Sequence, residues 1–426
     1  MAADDSHDVR LGGEMRRVVR GVQVLQTRGS DHDKVLRDSR STLSGMEIGG
    51  PVPRPPAAVL TELPAAPGVV GHDGSVLAVP RSWSDLTPSW VTAVLSSCYP
   101  GAVVSGVDLG PVEDGTNRRA RLRLSYSEGS GPPSIFVKAG GRLVHRLALV
   151  ALRALGAEAR LAASTERLPI EHPRFLGGGF DAGRLATVVV MEDLATLGGS
   201  PNEATRALSV AEVRSGLSGL ASLHAAYWDR PLPSSLAFLR PWRLGRALAP
   251  VSLASLSRGV RRLRELGEAG IMPPSATPGL LERQFRNSAR RAADGPTTVL
   301  HGDPHPGNTY ALAGGRTGFY DWQLVRVGNW SHDVGYFLVG SLGAEERRVH
   351  ETGLLEGYLE ALASHGVDPP SRPVALERYR AAPCFGLATW LHTLAAGSFQ
   401  PTDVCLATID RFATAYRDFG SHRLAR

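Results

Sequence analysis

Eight residues in the second half of the chain, His301-Gly-Asp-Pro-His-Pro-Gly-Asn308, hold two imidazoles, a carboxylate and a carboxamide. Pro304, Pro306 and the glycines between them forbid a regular helix, so these groups ride on a loop. Three chemistries fit. His301 and His305 suit zinc, with His332 and Asp333 in reach as further ligands. The same residues also suit a plain turn whose polar groups are merely solvated. The third chemistry draws in a distant residue. Eighteen positions after Asp303 stands Asp321, in GFYDWQ, behind the turn AGGRTG. A hairpin from Asn308 to Asp321 would return the chain and set the two side by side. Asp303 is then free to meet a substrate hydroxyl, while the Asn308 amide oxygen and the Asp321 carboxylate offer the hard oxygen ligands that Mg²⁺ prefers. A base, an asparagine and a metal aspartate in that order are what phosphoryl transfer needs.

Phosphoryl transfer also needs a cation on the phosphates. Of 47 basic residues only two are lysine, Lys34 and Lys138; the rest are arginine. A drift this strong replaces lysine wherever either residue serves. A lysine kept inside a patterned segment marks a place that wants a compact point charge. Lys34 lies in a polar tail, whereas Lys138 ends the strand-like run SIFVK. The helix that follows offers Glu158, in GAEARLAAS, as its partner. Glu166 is the alternative: eight positions on, it lies only about 80° around the same helix, so periodicity does not decide.

These residues need elements to hold them. ARLRLSY alternates apolar and polar positions and predicts a strand over 120–126; SIFVK predicts its hairpin partner. VEDGTN, ahead of them, is a polar turn with one glycine. Residues 81–98 predict a helix opened near Thr87-Pro88, and 143–168 predict another. LATVVVMEDL holds a continuous apolar strand, 186–191. Then helices dominate. Ser209 and Glu212 have capping-box spacing, and Val213, Leu217, Leu220, His224 and Tyr227 make one buried stripe. Further helices are expected near 250–268, 279–293, 344–364, 373–396 and 402–418, with an irregular, strand-containing insert between 293 and 339 that carries the octapeptide. Residues 1–55, charged and then rich in glycine and proline, predict a mobile tail and linker. The fold expectation is α+β in two lobes: 56–193 as a small antiparallel-sheet lobe that binds nucleotide, 194–426 as a larger helical lobe with the catalytic loop and acceptor site.

Composition narrows the function classes. Cys98, Cys384 and Cys405 are too few and too scattered for a disulfide framework or a cysteine zinc site. No apolar run approaches a membrane span and no secretory leader is visible, so a cytoplasmic protein is expected. The net charge of +6 is spread rather than clustered with aromatics, which argues against nucleic acid as a partner.

Together EARLAAS, VVVMEDL, LASLHAAYW, HGDPHPGN, YDWQ and the late SFQP resemble the aminoglycoside phosphotransferase and choline kinase-like superfamily, which shares the protein-kinase fold. They are most similar to its bacterial ecdysteroid kinase-like branch, over about residues 100–420. The resemblance implies Asp303 as catalytic base and Asn308 and Asp321 as Mg²⁺ ligands. It implies Lys138 on the ATP phosphates with Glu158 as its partner, and Val190, Met191, Glu192 and Asp193 as a hinge that contacts adenine by its backbone. VEDGTN lacks a GxGxxG pattern, so Thr116, Asn117 or Arg118 are expected to contribute to phosphate gripping. His301 is expected to pack the loop, His224 to be a core histidine and Asp333 to brace the loop. His305 is open between a loop-orienting role and the γ-phosphate. Trp330, Trp390 and Phe399 are candidates for an acceptor pocket or for the core.

Protein kinases carry an arginine between the loop's histidine and aspartate; here Gly302 stands there, and no APE-like segment follows Asp321. Both point to a small-molecule acceptor. The leading function is ATP-dependent phosphorylation of a small-molecule hydroxyl. An apolar alcohol is favoured over an aminoglycoside-type polycation, for which Glu345, Glu346, Glu351, Glu356 and Glu360 would supply an acidic pocket. The rivals are a non-catalytic nucleotide-binding protein of the same fold and a metal-dependent hydrolase.

Overall fold

The computed structural model describes residues 68–70, 76–164, 166–242, 248–291 and 294–424. The expected tail and linker over 1–55 lie outside the described residues. The chain divides into two compact units. One, Met1–Ala65 with Arg246–Val251, holds few described residues. The other, Ala66–Gly245 with Ser252–Arg426, contains the sheet, the helical half and all the candidate site residues.

The first half builds one antiparallel sheet. Strands β1 (Gly68–Val70) and β2 (Val76–Leu77) precede helix α1 (Pro88–Leu95), whose N-cap Thr87 accepts from the Trp90 backbone. Strand β3 (Val103–Asp114) turns into β4 (Asn117–Glu128), which pairs with β5 (Ser134–Gly140). Helices α2 (Leu143–Ala151) and α3 (Ala157–Ala162) follow, then β6 (Phe175–Asp181) and β7 (Ala186–Glu192). The spatial order is β2-β1-β6-β7-β5-β4-β3, so β5, with Lys138, lies inside the sheet. The face formed by Leu122, Ile135, Val137, Val188 and Val190 packs under Val91, Val94 and Leu95 of α1.

The expectations for this half need correction in three places. The single helix over 143–168 is two short helices, because Arg153 and Gly156 both take positive φ between them (55° and 80°). Strand β3 was not foreseen. It is an edge strand with Gly106, Gly110 and Pro111 and little burial, so it carries no clean alternation. Strand β6, in the run PRFLGGGF, was not foreseen either, and its glycines have a structural reason. A Cβ on Gly178 would stand 2.1 Å from the Ala159 carbonyl oxygen. Only glycine lets α3 lie this close to the sheet, and α3 carries Glu158.

The second half is helical. After β8 (Ser200–Pro201), α4 (Val210–Tyr227) opens with the expected Ser209–Glu212 capping box, and its stripe from Val213 to Tyr227 is buried. Then come α5 (Ala249–Glu265), α6 (Pro278–Arg291), β9 (Thr297–Leu300), β10 (Thr309–Leu312), β11 (Arg316–Phe319) and β12 (Arg326–Asn329). Helices α7 (Ser331–Ser341), α8 (Ala344–Ser364), α9 (Arg372–Ala396) and α10 (Thr402–Asp418) close the chain. Helix α7 was missed. It is buried on nearly every side, and a helix apolar all round shows no amphipathic period. The architecture is bilobal α+β: an antiparallel sheet first, a larger helical lobe second.

Candidate active site

Lys138 is 5% exposed on β5, between Arg119 of β4 and Val189 of β7. Its Nζ donates to Glu158 Oε2 at 2.7 Å and to Asp321 Oδ1 at 2.5 Å. Burial alone would lower its pKa, but the carboxylates of Asp321 and Glu158 outweigh that and hold the ammonium charged. Glu158 Oε1 accepts the Trp322 backbone N–H at 3.1 Å, so one carboxylate ties the lysine to the residue after Asp321. Glu166, the alternative partner, accepts instead from Ser235 Oγ at 2.6 Å.

Asp321 lies between β11 and a short 3-10 turn, with φ of 64°. That left-handed conformation costs a non-glycine residue free energy and is found at sites where the surroundings over-determine it. Burial pushes its carboxyl pKa up, yet Lys138 and Arg119 more than offset this and hold it below the ordinary value. The Asn308-to-Asp321 hairpin forms as expected: β10 pairs with β11, Thr309 opposite Phe319, and the Tyr320 N–H donates to the Asn308 carbonyl at 3.0 Å.

The octapeptide is folded around its own backbone. Asn308 Nδ2 donates to the Asp303 carbonyl at 2.9 Å and to Asp303 Oδ2 at 3.3 Å. Those acceptors fix the amide orientation and leave Oδ1 outward. Asp333, fully buried at the start of α7, accepts from the backbone N–H groups of His301 (2.7 Å) and Gly302 (3.0 Å), and its Oδ2 lies 3.4 Å from His224 Nε2. Asp333 thus braces the loop, and His224, also bonded to the Tyr358 hydroxyl at 2.8 Å, is a satisfied core histidine. Gly302 has φ of 87°, and a Cβ there would meet the Leu324 carbonyl oxygen at 2.1 Å; any other residue at this position would break the turn.

Every histidine of the zinc alternative has another task. His301 lies between the Tyr320 carbonyl (3.1 Å) and the Asp303 N–H (3.3 Å). His305 Nδ1 accepts from Gly307, and His332 Nε2 lies 3.2 Å from the Gly302 carbonyl. Burial pushes His305 and His332 down to about 4, so both are neutral. Among the described residues no group of three or more His, Cys, Asp or Glu is placed to hold a metal ion.

Asp303 is the carboxyl of the octapeptide, and its acidity is strongly displaced. Desolvation, followed by the like charge of Asp321, raises its pKa to about 7. Arg326 and the Tyr336 hydroxyl pull the other way. Neither was found by sequence reasoning: Arg326 belongs to a four-residue strand and Tyr336 to the unpatterned α7. Gln323, bonded at its Oε1 by Asn117 Nδ2 at 2.8 Å, was also missed.

Other expected residues fall elsewhere. Val190 pairs with Val137 and Gly177, and Met191 with Phe136 and Phe175. The sheet therefore uses their backbone on both sides, and neither is free as a hinge contact. Glu192 ends β7, its N–H donating to the Arg174 carbonyl at 3.0 Å. Asp193 begins the segment beyond the sheet; its carboxylate is committed to Arg121 (2.5 Å), Ser134 Oγ (2.6 Å) and the Ala195 N–H (3.1 Å). Asn117 borders the small cavity of Lys138, Glu158 and Gln323. Arg118, paired with Ala139, faces the opposite side of the sheet and drops out as a phosphate contact. Trp330 is core, stacked on Tyr358 at 5.4 Å, whereas Trp390 lies edge-on to His305 at 5.2 Å and Phe399 against His145 at 4.9 Å. No described helix is long and apolar enough to cross a membrane.

The sequence profile described as the phosphotransferase enzyme family matches residues 124–366, a span that includes Lys138, Glu158, Asp303, Asn308 and Asp321. The chain belongs to the phosphotransferase enzyme family. Among curated proteins no match is found. Solved structures similar to this family member include a choline/ethanolamine kinase family protein of Mesorhizobium loti, at 17% identity and a TM-score of 0.42, over 79% of this chain and 98% of that one. A macrolide 2′-phosphotransferase of Brachybacterium faecium matches at 17% identity and 0.38, over 74% and 99%. A choline kinase of Streptococcus pneumoniae matches at 14% identity and 0.41, over 78% and 98%.

Proposed function

We propose that this phosphotransferase moves the γ-phosphate of ATP to a hydroxyl of a small molecule. The observation that carries the reading is the Lys138 ammonium, buried between Glu158 and Asp321 beside a loop whose one displaced carboxyl is Asp303. Lys138 would hold the phosphates, positioned by Glu158. Asp303 would accept the proton of the acceptor hydroxyl, its acidity poised near neutral pH as base catalysis favours. Asn308 Oδ1 and Asp321 Oδ2 accept no bond from the described residues, since the first amide donates through Nδ2 and the second carboxylate meets Lys138 through Oδ1. Two oxygen donors completed by phosphate oxygens fit the way proteins hold Mg²⁺. Such an ion would neutralise charge on the transferring group. The nucleotide would belong to the lobe over 56–193, with adenine meeting the chain from Asp193 onward, and the acceptor to 194–426.

For the acceptor we favour an apolar alcohol, in keeping with the ecdysteroid kinase-like resemblance. His305, neutral, lies 3.9 Å from Asp303 and carries Trp390 edge-on at 5.2 Å. Of the five acidic residues that a polycation would want, Glu345 bonds Arg348, Glu351 bonds Arg347 and Tyr379, Glu356 bonds Arg372 and Glu346 lies 3.6 Å from His350, which among the described residues leaves Glu360 alone of the set.

An acceptor screen that reads ADP release tests the activity, and titration calorimetry with Asp303→Asn and Asp321→Asn tests the roles. Both variants lose about 10²–10⁴-fold in kcat/KM with a working acceptor. Asp303→Asn keeps Mg·ATP affinity; Asp321→Asn weakens it and loses the Mg²⁺ dependence. The reverse pattern would show the roles to be exchanged. Tight ATP binding without ADP release from any alcohol would favour the non-catalytic reading.

A further inference from the structure

A second cleft, of about 480 Å³, lies on the face of the sheet away from Lys138. Side chains alternate across a strand, so Val137 and Ala139 point opposite to Lys138, and Arg118 and Val188, both paired with Ala139, share that opposite face. Ala139 and Ala186, both partly exposed, floor the cleft above the buried Val137 and Val188, and Trp83, on the segment leading to α1, walls it. Around this apolar bed stand Arg81, Arg118, Arg146 and Arg184.

Two of these arginines lack a carboxylate partner among the described residues, whereas Arg81 lies near enough to Asp85 to lower its pKa. Arg118 lies over the Trp83 ring, 5.7 Å from its centroid. Arg146 donates to the backbone carbonyls of Gly141 (2.7 Å) and Gly140 (3.1 Å). Among the described residues neither guanidinium meets a carboxylate; Arg184 does, pairing with Asp181 at 2.5 Å. Burial, and then the like charges of Arg118 and Arg184, hold Arg146 below its ordinary pKa. Guanidinium groups gathered without matching anions repel one another, and an external phosphate or carboxylate relieves that repulsion through forked, charge-assisted hydrogen bonds. The volume is that of a small-molecule site.

We propose that this cleft binds an organic anion with an apolar body, the body lying on Ala139 and Ala186 against Trp83 and the phosphate or carboxylate head meeting Arg118, Arg146 and Arg184. The site is separate from the Lys138 pocket and does not depend on the acceptor chosen there. The alternative is a chance gathering of solvated arginines in an arginine-rich chain.

The test uses the full chain with Mg²⁺ and a non-hydrolysable ATP analogue at saturation, titrated calorimetrically with 1-naphthyl phosphate. The controls are 1-naphthol and inorganic phosphate. The phosphate ester is expected to bind at least ~10-fold tighter than either control, because body and head each contribute. Arg118→Gln should weaken it at least ~10-fold, the loss of a charge-assisted contact, and Arg118→Glu further. Arg118 is exposed, so the variants should keep the parent melting temperature, which is measured alongside. Asp303→Asn should bind the ester like the parent chain. Four results would overturn the proposal: no binding, binding no tighter than inorganic phosphate, parent affinity in both Arg118 variants, or loss in Asp303→Asn, which would assign the ester to the acceptor site.

Discussion

The loop His301–Asn308 and the turn Asp114–Asn117 are built in opposite ways. In the loop, His301, His305 and Asn308 are buried. The backbone N–H groups of His301, Gly302, Asp303, His305, Gly307 and Asn308 all find acceptors within the lobe, two of them on Asp333. The turn is short and half exposed. Gly115 donates to the Asn117 carbonyl at 3.1 Å, and Asn117 reaches Gln323. Its closest packing is backbone on backbone: a Cβ on Gly141 would meet the Thr116 carbonyl oxygen at 2.2 Å. A loop that works through side chains must fix those side chains, and a buried scaffold does so. A turn that acts through its backbone would ask little of its side chains. The contrast predicts that substitutions in the loop are severe and those in the turn mild.

The sharpest test of the loop's scaffold is Asp333→Ala. It strands two buried N–H donors and His224, at a cost of about 3 kcal/mol or more in folding free energy. Urea denaturation measures it; a loss under ~1 kcal/mol would mean the loop is not braced as described.

A pH profile comes next. Asp303 must be ionised to act as a base, and its pKa is about 7. Hence kcat/KM should rise about tenfold per pH unit below that value and level off above it. The stability sign is opposite. A raised carboxyl pKa means that the folded chain holds the proton more tightly than the unfolded one. Stability is therefore present at acid pH and is lost as pH climbs from the ordinary carboxyl value toward about 7. Asp303→Asn should raise the melting temperature at pH 8 and leave it unchanged at pH 4. A profile flat from pH 5 to 8 would remove Asp303 as the base.

Lys138→Arg carries a smaller expected effect. The planar guanidinium cannot stand in for a compact ammonium between Glu158 and Asp321. A loss of at least ~10-fold in kcat/KM is expected, about 1.4 kcal/mol. Near-parent activity would take Lys138 out of the site. The smallest effect belongs to the turn: if it acts through its backbone rather than through the expected Thr116 side chain, Thr116→Ala should change kcat/KM by less than about threefold. A loss as large as that of Lys138→Arg would dissolve the contrast between the two regions.

What the sequence determined by itself were the groups whose chemistry demands one residue type. The order of Asp303, Asn308 and Asp321, and the survival of Lys138 among arginines, led to the expectation that they share one place, and the structure sets Lys138 against Asp321 and Asn308 against Asp303. The capping box at Ser209 and the stripe on α4 were legible from local spacing. What only the tertiary structure decided were choices between equivalents and contacts made by distant backbone. It chose Glu158 over Glu166 because α3 ends at Ala162 and leaves Glu166 beyond it, bonded to Ser235, while Gly178 admits α3 against the sheet. It withdrew Val190 and Met191 from the hinge because both neighbouring strands use their backbone. It turned Arg118 to the far side of the sheet, and it brought Arg326 and Tyr336 to Asp303. Periodicity reports which side of an element is buried; which neighbour fills that side depends on how the elements pack, and no local pattern encodes it.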